Sequence, residues 1–262
     1  MSHFYLESHG VQLDIEVQDE GIHSAVEAIL PPGWLASDKF PEDGHLTIAT
    51  GSGGLYDVLV DAVPVALDMT AEVAVHAIDA EIRAKVALLS RSGIFVHAGV
   101  VEVAQRALVI PGPSFSGKSS LVAALVAAGA TYFSDEFAVI DSDGLVRPYA
   151  RPLSLRRHDA RYGEKITVES MGGRAGTQPT PVGLIAVTSY VPDGHWEPQR
   201  RSSGAGAIAL LSNAVAARSR PEETMRAVNR AASQAVVLEG ARGDAVNAAA
   251  SLMRAFAGLR EA

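Results

Sequence analysis

Residues 112–119 read Gly112-Pro113-Ser114-Phe115-Ser116-Gly117-Lys118-Ser119, the spacing G-x-x-x-x-G-K-[ST]. A loop of this pattern turns backbone N–H groups toward a phosphate chain, sends its lysine to the β- and γ-phosphates and offers a hydroxyl to Mg²⁺. It constrains the fold because it works only where a strand delivers the loop and a helix N-terminus receives it. Both flanks meet that demand. Ala107 to Ile110 is short, apolar and β-prone; Lys118 to Ala128 is rich in Ala and Leu, and Gly129 stands where a helix would stop. A helix N-terminus concentrates unsatisfied N–H donors and partial positive charge. The expected nucleotide-phosphate site is therefore Gly112, Pro113, Ser114, Phe115, Ser116, Gly117, Lys118, Ser119 and Ser120, with ATP and Mg²⁺ as the ligands.

Lysine usage adds to this. Four lysines (Lys39, Lys85, Lys118, Lys165) stand against eighteen arginines. Where the chain keeps a lysine it keeps a compact ammonium, which fits among phosphate oxygens where a planar guanidinium would not.

Composition bounds the remaining classes. The 262 residues are 48% hydrophobic, enough for a sizeable core in one or two domains. A net charge of −8 argues against a general nucleic-acid or anionic-membrane binder. The absence of cysteine excludes disulfides, thiolate metal sites and a cysteine nucleophile, and the eight histidines show no ligand spacing. With no leader-like N-terminus and no run of 18 apolar residues, the expectation is a soluble cytoplasmic protein.

Along the chain, Val11, Leu13, Ile15 and Val17 alternate with polar residues as in a half-buried strand, and 46–48 and 55–60 read as further strands. Residues 1–69 are thus expected to form a small β-rich lobe. Residues 70–262 would form the nucleotide core, opened by an amphipathic helix from Thr70 to about Gly93 with Val75, Ile78, Ile82, Val86 and Leu89 on one side. Residues 94–103 pair with 107–110 across a turn at 104–106. After the loop helix come a short strand at 131–133, the acidic Ser134-Asp135-Glu136, and 137–140 turning through Asp141-Ser142-Asp143-Gly144 into 145–147. A hairpin at that point implies a mixed, partly antiparallel sheet. Tyr162 to Pro181 has the composition of a mobile loop over a site or of a solvated linker. Residues 182–188 form a core strand, and the C-terminal part is helical around a last strand at 236–238.

Phosphoryl transfer also requires carboxylates and cations near the phosphates. Asp135 and Glu136 end a strand 17 and 18 residues after Lys118, where one helix and one turn return the chain to the loop. Five arginines lie between 147 and 161, so Arg151 or Arg156 would meet the transferred phosphate, or the cluster forms a solvated basic face. His97, within an apolar strand, reads first as a core histidine.

His97-Ala98-Gly99, the loop motif, Gly129 and Ser134-Asp135-Glu136 together resemble the catalytic core of the HPr kinase/phosphorylase family over roughly residues 94–157. The resemblance implies a phosphoenolpyruvate carboxykinase-like α/β fold. It implies Asp135 as the catalytic aspartate, His97 near the transferred phosphate, and Ser119 and Glu136 around the metal. With Lys118 from the loop motif and Arg151 from the arginine cluster, Asp135 and His97 make up the expected catalytic set. The chain departs from the family pattern at Ser120, where the family has an acidic residue at the end of its loop, at Glu136, which stands for the family's second aspartate, and in lacking the long Arg-containing signature of phosphorolysis. Neither phosphorolysis nor HPr as acceptor is therefore implied. The reading is an ATP-dependent kinase acting on a hydroxyl, most simply a seryl on a peptide or small protein. A small-molecule kinase and a nucleotide-binding regulatory module remain alternatives, and a homo-oligomer is compatible with the sequence.

Overall fold

The computed structural model describes residues 2–38, 41–155 and 163–258. The chain divides into two compact units, Met1–Ser92 and Gly93–Ala262, each α/β with mixed sheets.

The first unit contains β1 (Ser2–Ser8), β2 (Val11–Val17), α1 (His23–Glu27), β3 (Leu35–Ala36), β4 (His45–Thr50), β5 (Tyr56–Val60), β6 (Val63–Met69) and α2 (Ala71–Leu89). Its six-stranded sheet runs β3-β1-β2-β4-β5-β6, antiparallel except for β2 with β4. The alternation in β2 buries Val11, Leu13, Ile15 and Val17 completely. On α2, Ala74, Ile78, Ile82 and Val86 recur at four-residue steps, are fully buried, and meet β2, β4, β5 and β6. That packing corrects the boundary expected at 69/70. The helix buries its apolar stripe on the first sheet and so belongs to the first unit, which ends at Ser92.

Ion pairs close the loops of this unit. Arg91 grips Asp43 with two hydrogen bonds of 2.8 Å, and Lys85 reaches Asp61 at 2.7 Å. The bonded Arg91 holds Asp43, and the bonded Lys85 holds Asp61, below the usual carboxylate range. A carboxyl depressed in the folded state stabilises above its unfolded pKa of about 3.9 and loses that contribution as pH falls through the lower folded value. The contribution of these two pairs should therefore be constant above about pH 5 and fall away below about pH 4. Trp34 fluorescence in a Trp196→Phe background would follow this, and Asp43→Asn should flatten the acid limb; an unaltered limb in that variant would remove the assignment.

The second unit contains β7 (Ile94–Val103), β8 (Arg106–Pro111), α3 (Lys118–Ala127), β9 (Thr131–Ser134), β10 (Phe137–Ile140), β11 (Leu145–Arg147), β12 (Leu153–Leu155), β13 (Glu164–Ile166), β14 (Thr180–Tyr190), β15 (Gln199–Arg201), α4 (Ser203–Leu211), α5 (Pro221–Ser233), β16 (Val236–Arg242) and α6 (Ala245–Gly258). The main sheet runs β11-β10-β7-β8-β14-β16-β15, with β9 also on β7 and β11 also on β14. Strands β8, β14 and β16 are parallel and the other pairings antiparallel, so the sheet is mixed as the sequence implies.

Two local signals act as expected. Ala104 and Gln105, both at positive φ, turn β7 into β8. Asp141 Oδ1 accepts from the N–H groups of Asp143 and Leu145 and so builds the β10–β11 turn.

Helices cover both faces of the sheet. On one face Leu121, Val122 and Leu125 of α3 join Ala248, Leu252 and Phe256 of α6 over Val101, Leu108, Ile110 and Leu184. On the other, Ala207 and Leu210 of α4 and Ala227, Val228 and Ala231 of α5 cover Val96, Ala98, Val100, Val109 and Ile185. The parallel strands β8, β14 and β16 end on one edge, where β8 opens into the glycine-rich loop. In open α/β sheets the carboxyl edge of parallel strands is where ligands bind.

Candidate functional site

The strand–loop–helix unit foreseen from the motif is present. β8 ends at Pro111, the loop occupies 112–117, and α3 starts at Lys118. The loop is anchored at its start by the Gly112 N–H, which donates to the His97 carbonyl at 3.1 Å. At its end, Gly117 caps α3 at φ 80°, a left-handed conformation that glycine adopts without strain, and no side chain caps the helix. The first N–H groups of α3 are thus left without a capping side chain. Phe115 takes φ 67° at the tip and is 80% exposed. Ser114 and Ser120 are exposed, Ser119 half-buried.

Lys118 is buried and turns back into the loop, where Nζ donates to the carbonyls of Gly112 at 2.8 Å and Pro113 at 2.6 Å. Burial lowers its pKa from the ordinary lysine value, and the charges of Asp135 and then Glu136 oppose that shift. The structure therefore brings the motif lysine and both carboxylates into one electrostatic neighbourhood.

The way it does so is not a strand followed by a loop. Phe137 lies opposite His97 on β7, and Ser134 lies opposite Val100. Those registers belong to one antiparallel strand, so β9 and β10 form a single run bent at 134–136, with Asp135 across from Gly99 and Glu136 across from Ala98. The Ala98 N–H donates to the Glu136 carbonyl at 3.1 Å, which keeps the ladder intact through the bend. Ser134 Oγ accepts from the N–H groups of Glu136 at 3.1 Å and Phe137 at 2.9 Å and so fixes the bend itself. Between Val100 and Val101 the register slips by one residue, a bulge of the kind that re-aims side chains.

Gly99 explains how α3 comes close to this bend. A Cβ there would lie 2.6 Å from Val122 Cγ2 and 3.7 Å from Lys118 Cβ, so the missing side chain sets the distance of the helix from β7. Gly99→Ala should cost about 1–3 kcal/mol by overpacking. Because the clash is specific, Val122→Ala should recover much of it. A Tm for Gly99→Ala within error of wild type, or strictly additive effects in the double variant, would contradict this account.

Asp135 is buried and doubly bound. Its Oδ1 lies 3.0 Å from the Tyr132 hydroxyl, and its Oδ2 accepts from the Ser154 N–H at 3.2 Å. The Tyr132 hydroxyl is also 2.8 Å from the Arg151 carbonyl, so one proton serves two acceptors. Burial, reinforced by Asp135, pushes the Tyr132 pKa far up and keeps the phenol protonated. A carboxylate has about four lone-pair positions, so two bonds leave Asp135 able to accept another.

His97 is half-buried beside the loop entry, its ring 4.8 Å from that of Phe137, and its backbone donates to the Asn213 carbonyl at 2.8 Å. Arg151 is buried and joins the network through its carbonyl. Arg147 reaches Asp141 at 3.2 Å instead. Arg156, Arg157 and Arg161 lie outside the described residues.

The segment read as a mobile loop or linker differs from both readings. Tyr162 lies outside the described residues, but the Arg174 carbonyl accepts from Tyr132 N, Gly176 N donates to the Tyr132 carbonyl, and Val168 is buried against the α3 face. Gly173 and Gly176 are present because Val126, Val168 and Phe133 leave no room for a Cβ. Glycine here serves close packing.

Two further residues escaped the sequence reading. Tyr132 looks like any strand aromatic, and Arg242 lies at the end of β16, 124 positions beyond Lys118. Arg242 Nη2 donates to the carbonyls of Ser116 at 3.2 Å and Gly117 at 3.0 Å.

No family model matches the chain, and no curated protein sequence matches it. Among solved structures it is similar to the HPr(Ser) kinase/phosphatase from Coxiella burnetii, at 14% identity and a TM-score of 0.40, over 64% of this chain and 99% of that one. Among the described residues no helix is long and apolar enough to cross a membrane.

Proposed function

We propose that the glycine-rich loop is a P-loop and that the second unit is an ATP-dependent phosphotransferase acting on a hydroxyl, with a seryl of a peptide or small protein as the favoured acceptor. The observation that carries the reading is the meeting of a buried lysine, turned into an uncapped loop at a helix N-terminus, with two carboxylates that act on its charge. A turn that merely reversed the chain would gain nothing by burying an ammonium on two carbonyls, since desolvating a cation costs several kcal/mol.

The residues fit a magnesium-bound nucleotide. Ser116 Oγ is buried without a partner beside Gly112, and the α3 N-terminus offers donors that no side chain takes. Ser119 and Glu136 would hold the Mg²⁺, which when bound neutralises phosphate charge. The amides of residues 114–119 and Lys118 would bind and orient the phosphates. Asp135, held by Tyr132 and the Ser154 N–H, would accept the proton of the hydroxyl as its oxygen forms a bond to the γ-phosphorus and the bond from that phosphorus to the β,γ-bridging oxygen breaks, releasing ADP. Arg151 and His97 would flank the transferred group.

The test is ADP release from γ-labelled ATP with and without fractionated host extract, followed by the mass of the labelled product. Acceptor-dependent release and a peptide or protein product support the proposal. A labelled metabolite would replace the acceptor class, and nucleotide binding with no acceptor-dependent release would leave a binding module.

A further inference from the structure

Arg242 is 3% exposed, and burial lowers its pKa from the ordinary arginine value. A buried guanidinium persists only where its N–H groups find acceptors. Among the described residues its acceptors are three carbonyls, those of Ser116, Gly117 and Gly243, and none is a carboxylate. Nε is buried without a partner, and Cζ lies 5.8 Å from the centre of the Tyr190 ring. Two of the three carbonyls belong to the last two peptides before α3.

Peptide planarity turns those two contacts into a statement about the loop. In a trans peptide the C=O and N–H point in opposite directions. Holding the Ser116 and Gly117 carbonyls on the guanidinium therefore points the N–H groups of Gly117 and Lys118 away from Arg242. These are the amides at the mouth of α3 that a phosphate would need. The Gly117 carbonyl also accepts from Leu121 N at 3.2 Å, so the same oxygen ties the first helical hydrogen bond to the clamp. A Cβ on Gly117 would sit 2.6 Å from Nη2, so this glycine both supplies the left-handed turn and leaves space for the guanidinium.

We infer that Arg242 is a positioning residue for the anion site, fixing the peptide orientation of the loop from behind without touching the ligand. This deepens the phosphate-site reading and, in its functional half, rests on it. A free loop could rotate either peptide and present a carbonyl dipole to the phosphates. Arg242, delivered by the strand two positions from β8 in the sheet, removes that freedom before the ligand arrives.

The test uses the full chain with Arg242→Gln and Arg242→Lys. The readouts are amide exchange of Leu121, whose N–H is bonded to the clamped Gly117 carbonyl, calorimetric binding of inorganic tripolyphosphate and Mg·ATP, and steady-state kinetics. Arg242→Gln should speed exchange of the Leu121 amide about tenfold and weaken tripolyphosphate about tenfold, a change of about 1.4 kcal/mol. Its nucleotide KM should rise more than kcat falls, and Arg242→Lys should recover part of each effect. Wild-type exchange and affinity in a folded Arg242→Gln variant would overturn the inference. A fall in kcat with unchanged affinity would overturn it too, by placing the guanidinium on the transferred group. If the wild-type chain binds neither tripolyphosphate nor nucleotide, the phosphate-site reading fails, and the exchange rates alone decide whether Arg242 orders the loop. Should Arg242→Gln not fold, Arg242→Lys, which keeps the charge but loses the planar fork that spans the two carbonyls, carries the same exchange measurement with the same two outcomes.

Discussion

Lys118→Ala is expected to abolish transfer, lowering kcat/KM by about 10³ or more. At about 4 Å and an effective dielectric near 20, one ammonium–phosphate charge pair is worth about 4 kcal/mol, which is three decades in rate or affinity. The structure explains why no neighbour would replace the lysine. Arg242, a second cation beside the loop among the described residues, is committed to the carbonyls on its outer side. The Lys118 ammonium rests on the carbonyls of Gly112 and Pro113, dipoles that a multiply charged phosphate outcompetes. The protonated amine is the binding form and burial lowers its pKa. Triphosphate affinity should therefore fall as pH rises through a value below that of a free lysine. Lys118→Ala should lose this alkaline limb together with the affinity. Turnover close to wild type in that variant would end the P-loop reading.

The parts of this site that the sequence discloses are those made by neighbours in the chain. The loop, its helix and the turn at 141–144 follow from local rules, and the two carboxylates stand out as an acidic pair a short stretch later. What stayed hidden is made by pairing. The registers that fuse β9 and β10 into one bent strand depend on β7, and nothing in Thr131 to Ile140 announces that 134–136 is a bend within a ladder. Arg242 is one arginine among eighteen, and only the parallel order β8, β14, β16 carries it to the loop.

Glycine misled in a different way. The composition of 163–181 fits mobility, yet Gly173 and Gly176 occur where side chains of the packed core would collide with a Cβ. The same residue type at Gly117 does mark a left-handed turn, so glycine content alone does not separate looseness from tight packing. The second unit's boundary failed for a related reason. An amphipathic stripe shows that α2 packs, but not on which of two sheets.

Asp135→Asn is expected to lower kcat by about 10² to 10⁴ while leaving Mg·ATP affinity within a few fold. A hydroxyl is a poor nucleophile at neutral pH, and Asp135 is the carboxylate in the network that is both buried and oriented. The asparagine fits the same seat. Its carbonyl can take the Ser154 N–H, and its amide can donate to the Tyr132 oxygen, whose proton then goes wholly to the Arg151 carbonyl 2.8 Å away. Folding stability should therefore change little, and the loss is the loss of a proton acceptor. Tyr132→Phe, which frees the carboxylate to rotate but leaves its basicity, should lower kcat less than Asp135→Asn. Glu136, half-buried on the bend and second to Asp135 in its action on Lys118, should behave differently, with Glu136→Gln weakening the Mg²⁺ dependence of nucleotide binding more than kcat. If Asp135→Asn loses nucleotide affinity and Glu136→Gln loses only kcat, the two carboxylates exchange roles. If neither variant loses rate, proton transfer is not what this bend in the strand provides, and the loop binds its nucleotide for another purpose.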